Sequence, residues 1–125
     1  MNSYREQLIE AWKDRQGPAV FTTTSTDGVV NSVYVSSIDL DSDGNFVVAD
    51  NYFGKTNENI GQGSIGAVLF ITKKFVSFQA KGPLSCYETG PSYEFMKGWN
   101  PSQHPGHRAV VLHITSLFSG GDKLL

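Results

Sequence analysis

Cysteine is almost missing from this chain: Cys86 stands alone. That excludes an intrachain disulfide and any multi-cysteine metal centre. Charge of either sign is sparse, with 10 Lys+Arg against 12 Asp+Glu for a formal net charge of −2. No run or stripe of basic residues stands out, so a role in holding nucleic-acid phosphates is not expected. Long hydrophobic runs are missing too; none approaches the roughly 20 residues that cross a bilayer, and no membrane partner is expected. The N-terminal stretch lacks the apolar centre of a secretory signal, which makes the cytoplasm the default location. What remains is 125 residues, 39% of them hydrophobic. That length suits a single domain over residues 1–125, able to bury about two-thirds of its unfolded surface.

Tyr4, Leu8, Ile9 and Trp12 recur at helical spacing with Arg5, Glu6, Glu10 and Lys13 between them. The pattern predicts an amphipathic helix near residues 3–15, stopped by Gly17-Pro18. Six β-rich runs follow, at 19–24, 29–38, 46–50, 65–72, 75–87 and 109–118. Thr26-Asp27-Gly28, Asp41-Ser42-Asp43-Gly44 and Lys73-Lys74 supply hairpin turns between neighbours. The first three runs read as a meander, in which 29–38 pairs with 46–50. Short helices are predicted at 56–62 and 91–99, the second with Pro91 in its first turn. Hairpin chemistry between successive runs points to a mainly β fold. Its expected form is a six-stranded antiparallel sheet curling into a small barrel with short flanking helices. Side chains fill a barrel of this size, so a large ligand must lie outside it or between two copies.

Several strings imitate known motifs. Gly61-Gln62-Gly63-Ser64-Ile65-Gly66 has the letters of a dinucleotide fingerprint, but it follows a helix and opens a strand, the reverse of the required order; it reads as a helix stop. Asp39-Leu40-Asp41-Ser42-Asp43-Gly44 opens like a calcium loop, and Asp50 falls at the closing position. The flanks, however, are strand-like, so a turn is the better reading. His104-Pro105-Gly106-His107 is a loop, either a solvated connector or part of a ligand rim, and His113 sits in an alternating strand. Too few ligands converge in sequence to expect a metal. Cys86 reads as a buried, unreactive thiol.

The most informative segment is Phe46-Val47-Val48-Ala49-Asp50, which runs through Asn51-Tyr52-Phe53-Gly54 into Lys55-Thr56-Asn57. A strand feeding a glycine turn and a helix N-terminus exposes free N–H groups, here with a lysine and a hydroxyl beside them. On these residues alone, a capping threonine and a solvated lysine also explain the pair. Asn31-Ser32-Val33-Tyr34 adds small polar side chains and backbone groups, and Val33, Val35, Val47 and Val48 an apolar wall. Together they suit a flat ring with a phosphate tail.

The run from Phe46 to Ile60, followed by Ser64 to Phe70, resembles the cofactor segment of the pyridoxamine 5′-phosphate oxidase-related, FMN-binding split-barrel proteins, most closely their short flavoredoxin-like and FMN-binding members. Residues 30–35 and 108–115 extend the likeness over most of the chain. The resemblance implies a six-stranded split barrel that forms a homodimer with FMN at the interface. It implies that Lys55 and Thr56 hold the phosphate with help from Ser32, and that Asn31 beside it is among the cofactor-binding residues. Val33 and Tyr34 then offer backbone groups to the ring edge, while Val48, Ala49 and Asp50 flank the ring and ribityl chain. From the partner subunit, residues 99–107 and the tail 121–125 are expected to close the site. Gly54 stands where the vitamin B6 oxidases carry an arginine, and no arginine follows Arg108, so vitamin B6 oxidation is not expected. The implied activities are a small FMN-dependent oxidoreductase using NAD(P)H or a redox-protein donor, a non-enzymatic electron carrier, or a cofactor-free ligand-sensing barrel. No residue announces itself as catalytic.

Overall fold

The computed structural model describes residues 3–125. Met1 and Asn2, part of the stretch read above for a secretory signal, lie outside them. The described residues form helix α1 (Ser3–Lys13), strands β1 (Ala19–Thr24), β2 (Val30–Val35), β3 (Ile38–Leu40) and β4 (Phe46–Ala49), helix α2 (Lys55–Gly61), strands β5 (Ile65–Ile71) and β6 (Ser77–Tyr87), helix α3 (Pro91–Trp99), and strands β7 (Ala109–Leu112), β8 (Ser116–Ser119) and β9 (Asp122–Lys123). All pairings are antiparallel, in the order β2-β1-β5-β6-β7-β4-β3, with β8 beside β6 and β9 beside β8. The result is an open, curled sheet consistent with a split barrel.

Nine strands replace the expected six, for identifiable reasons. The run 29–38 breaks at Ser36-Ser37: β2 pairs only with β1, and β3 with β4. The expected pairing of residues 31–34 with 46–50 is therefore wrong. Ile38 N–H closes a tight bend onto the Ser36 carbonyl at 3.1 Å, where two small hydroxyl residues tolerate departure from a ladder. The run 109–118 breaks likewise. β6 is long enough to serve two partners, and the chain moves from beside residues 84–87 to beside residues 78–81. Gly82 permits the crossing, since a Cβ there would stand 1.8 Å from the His113 carbonyl oxygen. β9 is a short addition after a turn.

α1 plugs the curl. Leu8 and Trp12 are buried and Tyr4 packs beside them, while Ile9 sits at the margin. The Trp12 ring meets Phe46 and Phe70 edge-on at 4.9 and 5.0 Å, and its Nε1–H donates to Asp39 Oδ1 at 3.0 Å, tying the helix to β3. Phe21, Phe46, Val48, Val68 and Leu117 complete this core. Each fully buried side chain of this kind contributes about 1.5–3 kcal/mol. β4 and β7 are buried along their whole length rather than alternately, because α3 covers their second face. Val47, Ala49, Ala109, Val111 and Met96 form a separate cluster there.

The smaller sequence motifs resolve as turns. Gly63 N–H and Ser64 N–H return to the Ile60 and Asn59 carbonyls, and Gly63 adopts a φ of 85°, which ends α2. Asp41 Oδ1 accepts the N–H groups of Asp43 and Asn45 at 2.9 and 3.0 Å, an Asx turn with Gly44 at a φ of 80°. His113 shares a 2.9 Å hydrogen bond with the Ser85 hydroxyl.

Candidate ligand cleft

The bend at Ser36-Ser37 leaves β2 and β3 at the two ends of the strand order, and a cleft of about 300 Å³ lies where they part. One wall is the inner side of β2, where Val33 and Val35 stand. Another is Ala49 at the end of β4 with residues 51–54 of the turn that follows, and the Ser36-Ser37 bend, Thr56 and His104 complete the lining. Because β2 is a terminal strand, the backbone groups on its free side face no further strand, and they supply donors and acceptors beside an apolar wall.

Thr56 marks one end. Its first-turn position does not make it the helix cap: Gly54 occupies that position with no side-chain bond, and the first helical hydrogen bonds run from Asn57 and Glu58 N–H to the Gly54 carbonyl. The Lys55 and Thr56 N–H groups therefore precede the helical ladder. Thr56 is 2% exposed, and its hydroxyl oxygen accepts the Asn31 amide at 3.1 Å, which leaves the hydroxyl proton free to donate. Deeper in, Asn59 donates to the Thr23 hydroxyl at 3.0 Å, so two polar contacts pin α2 against β1 and β2.

Lys55 extends into solvent, its side chain 51% exposed and 3.9 Å from Glu58. Its charge is felt at Asp27 in the β1–β2 turn. That carboxyl is held below its ordinary value of 3.8 by the Ser25 hydroxyl first, by its own backbone N–H second, and by Lys55 to a lesser degree. Asp50 is 3% exposed, and its Oδ2 meets Arg108 Nε at 3.1 Å and Asn57 Nδ2 at 3.0 Å. The carboxylate thus serves the architecture of the corner and leaves its Oδ1 buried without a partner.

Of the nine residues expected at a site, Val33, Tyr34, Ala49 and Thr56 line the cleft, and Asn31 braces Thr56. Ser32 does not join them. Its hydroxyl bonds Thr22 at 2.8 Å on the opposite face of the sheet, as alternation along β2 requires. Val48 lies in the core, with Val47 beneath α3, so neither forms the apolar wall expected of it. Asp50 and Lys55 flank the cleft without lining it.

Composition did not reveal Asn51, Tyr52 and Phe53 as lining residues, although two aromatics in a polar turn are an unusual signal. The 99–107 segment was expected to act from a partner, yet His104 reaches the cleft of its own chain. Asn51 and Asn100 exchange amide hydrogen bonds at 3.0 Å, and Asn51 Oδ1 also accepts Gly106 N–H at 2.9 Å, which lays this loop across the β4 turn. The tail of residues 121–125 belongs to β9 and to contacts with Leu117, where the Leu124 N–H donates to the Leu117 carbonyl at 2.7 Å.

Neither protein-family models nor curated protein sequences match this chain. Solved structures do. HupZ of Group A Streptococcus shares 20% identity at a TM-score of 0.74, covering 95% of this chain and 93% of its own. An FMN-binding protein from Syntrophomonas wolfei shares 17% at 0.71, covering 94% and 88%. A pyridoxamine 5′-phosphate oxidase-related, FMN-binding protein from Nostoc punctiforme shares 8% at 0.63, covering 97% and 85%. The chain has the fold of the pyridoxamine 5′-phosphate oxidase-related, FMN-binding proteins. The general stress protein 26 of Bacillus anthracis has this fold too, with 13% identity and a TM-score of 0.72 over 93% of this chain and 92% of its own. Among the described residues, no helix is long and apolar enough to cross a membrane.

Proposed function

We propose that this protein is an FMN-binding flavoprotein, a small oxidoreductase that does not act on vitamin B6. The observation that carries this reading is Thr56, buried at the start of α2 with its hydroxyl proton free, at the end of a cleft whose other walls are apolar side chains and a free strand edge. The donor set fits the group. Thr56 Oγ, the first N–H groups of α2 and the Lys55 ammonium suit a phosphate, while Val33, Val35, Ala49 and Phe53 suit the flat faces of a ring. When bound, FMN supplies electron or hydride acceptance, and the protein contributes orientation and hydrogen bonds. Gly54 in place of the arginine that precedes the phosphate lysine in the vitamin B6 oxidases, and a C-terminal segment with no arginine after Arg108, argue against vitamin B6 as the substrate.

A non-enzymatic electron carrier is the second reading. It is favoured by the cleft lining, which includes no carboxylate, lysine or thiol, and His104 as its one imidazole. Oxidation of NAD(P)H by the purified protein separates the two; a carrier passes electrons only to and from a redox protein.

A homodimer belongs to the same proposal. The outer face of β2, β1 and β5 carries Val30, Tyr34, Ile65 and Leu69, which are 68%, 76%, 62% and 42% exposed, with Val20 between Tyr34 and Leu69 in register. An uncharged face of this extent, apolar on either side of the paired Thr22 and Ser32 hydroxyls, suits burial by another surface. Tyr34 belongs both to this face and to the cleft, so a second copy seated here roofs the ligand. The deciding experiment is the visible spectrum of purified protein, followed by titration of FMN fluorescence. Bound flavin with a quenched emission is expected; colourless protein that leaves added FMN fully fluorescent would falsify the proposal and favour a cofactor-free barrel.

A further inference from the structure

The loop after α3 is held in place with more contacts than a connector needs. Asn51 grips it twice, through Asn100 and through Gly106 N–H. Lys97 Nζ donates to the Pro105 carbonyl at 3.0 Å, and His107 N–H donates to the Asp50 carbonyl at 2.9 Å. Gly106 sits at a φ of 52°, and a Cβ there would stand 2.9 Å from the Asn100 amide, so the path of the loop is closely confined. The residue presented by all these anchors is His104. It lines the cleft, with Nδ1 3.0 Å from the Tyr52 hydroxyl and the two rings edge to face at 5.5 Å.

We propose that His104 is a ligand-reading residue: with Nδ1 taken by Tyr52, it donates a hydrogen bond from Nε2 to an acceptor on the edge of a heteroaromatic ring bound in the cleft. The proposal rests on the flavin reading and adds to it a specificity determinant that is independent of the phosphate. The chemistry follows from the pair. A neutral imidazole has one donor and one acceptor nitrogen, and a tyrosine hydroxyl that donates to Nδ1 leaves the proton on Nε2. Tyr52 is 73% exposed, so its hydroxyl is free to rotate into the donating role. His104 lines the same cleft as the apolar side chains of Val33 and Val35, so this donor and the apolar wall serve one ligand. Ring carbonyls and unprotonated ring nitrogens accept from such a donor. Asn51 acts as a positioning residue, since it touches the loop and not the imidazole.

The test compares FMN with riboflavin, which has the same ring and no phosphate, in wild type, His104→Ala, His104→Gln and Tyr52→Phe. For His104→Ala we expect an affinity loss of about tenfold for both flavins, of the size of one hydrogen bond, and a displaced flavin absorption band. His104→Gln, which keeps an N–H donor, restores most of the affinity. Nitrogen-15 NMR of the unliganded protein is expected to show the Nε2–H tautomer at His104, and a mixture of tautomers in Tyr52→Phe. Unchanged flavin affinity and spectrum in His104→Ala overturn the inference while leaving the flavin reading intact, and so does an Nδ1–H tautomer in the wild type. Failure of the wild type to bind either flavin removes the flavin reading and this inference together.

Discussion

Arg108 Nε lies 3.1 Å from Asp50 Oδ2, and Arg108 Nη2 donates to Asn57 Oδ1 at 2.9 Å while Asn57 Nδ2 donates back to the same Asp50 oxygen at 3.0 Å. This triangle ties the end of β4, the first turn of α2 and the start of β7 into one corner. Backbone bonds run alongside it, from Asp50 N–H to the Arg108 carbonyl and from His107 N–H to the Asp50 carbonyl. The turn that walls the cleft is therefore braced from outside the lining by a charge pair, one of whose members is almost fully buried.

Arg108→Ala strands that carboxylate. The Asp50 side chain is only 4% exposed, whereas Arg108 is 25% exposed, so the cost lies toward the lower end for a broken buried pair, about 2–4 kcal/mol. Asp50→Asn removes the charge and keeps an acceptor for Arg108, so a smaller loss of about 1 kcal/mol is expected. Urea unfolding measures both. An Arg108→Ala variant within about 0.5 kcal/mol of wild type, the range of ordinary surface changes, would show that solvent already screens the pair.

Lys55→Ala separates the ligand role of the lysine from any structural one. Its side chain is half exposed and its nearest carboxylate is 3.9 Å away, an exposed pair that contributes little to folding. The unfolding midpoint should stay where it is. FMN affinity should fall by about 1.5–3 kcal/mol if the ammonium meets the phosphate, and riboflavin affinity should not change. Equal FMN retention in mutant and wild type removes Lys55 from the site.

Much of the secondary structure was legible because it is written in periodicity. Leu8 and Trp12 one turn apart announce α1, and the apolar run of residues 65–71, bounded by Gly63-Ser64 and by Lys73-Lys74, announces β5. The bends at Ser36 and at residues 113–115 were not legible, since they come from curling the sheet around Trp12, Phe46 and Phe70, a tertiary demand with no local signal. The corner from Asp50 to Thr56 could be read from strand-turn-helix order. The arrival of His104 could not, because the contacts that bring it join residues 49 and 55 positions apart. Ser32 shows the same limit at the smallest scale: once β2 keeps Asn31 and Val33 inward, the residue between them must face out.

Cys86 gives a pH dependence with a definite sign. Burial pushes its thiol above the ordinary value of 9.0; nearby Arg108 opposes this and Asp50 adds to it. The folded state therefore holds the thiol proton to a higher pH than the unfolded chain. Its contribution is fully present below about pH 9 and is lost as pH rises through the folded value. The gap in urea midpoint between wild type and Cys86→Ala should shift against wild type from pH 8 to pH 10. Alkylation near neutral pH should be slow for the same reason, since the thiolate is the reactive form. A gap that stays constant over this range would mean that Cys86 titrates alike in both states.

Leu69→Glu tests the proposed dimer without touching the cleft lining. Leu69 lies in the middle of the outer apolar face, opposite Val20 on one side and Gln79 on the other, and is 42% exposed, so a glutamate there costs the isolated chain little. Seated against a second copy, the same carboxylate is taken out of water beside apolar side chains, with only the diagonal Lys81 on its own face, which costs several kcal/mol. Sedimentation at micromolar concentration should show a dimer for the wild type and a monomer for Leu69→Glu, with the same circular dichroism. FMN affinity should fall in the variant although Lys55, Thr56 and His104 are intact, because the cleft at Tyr34 loses its roof. A wild type that sediments as a monomer with and without FMN would sink the interface and leave the cleft to act within one chain.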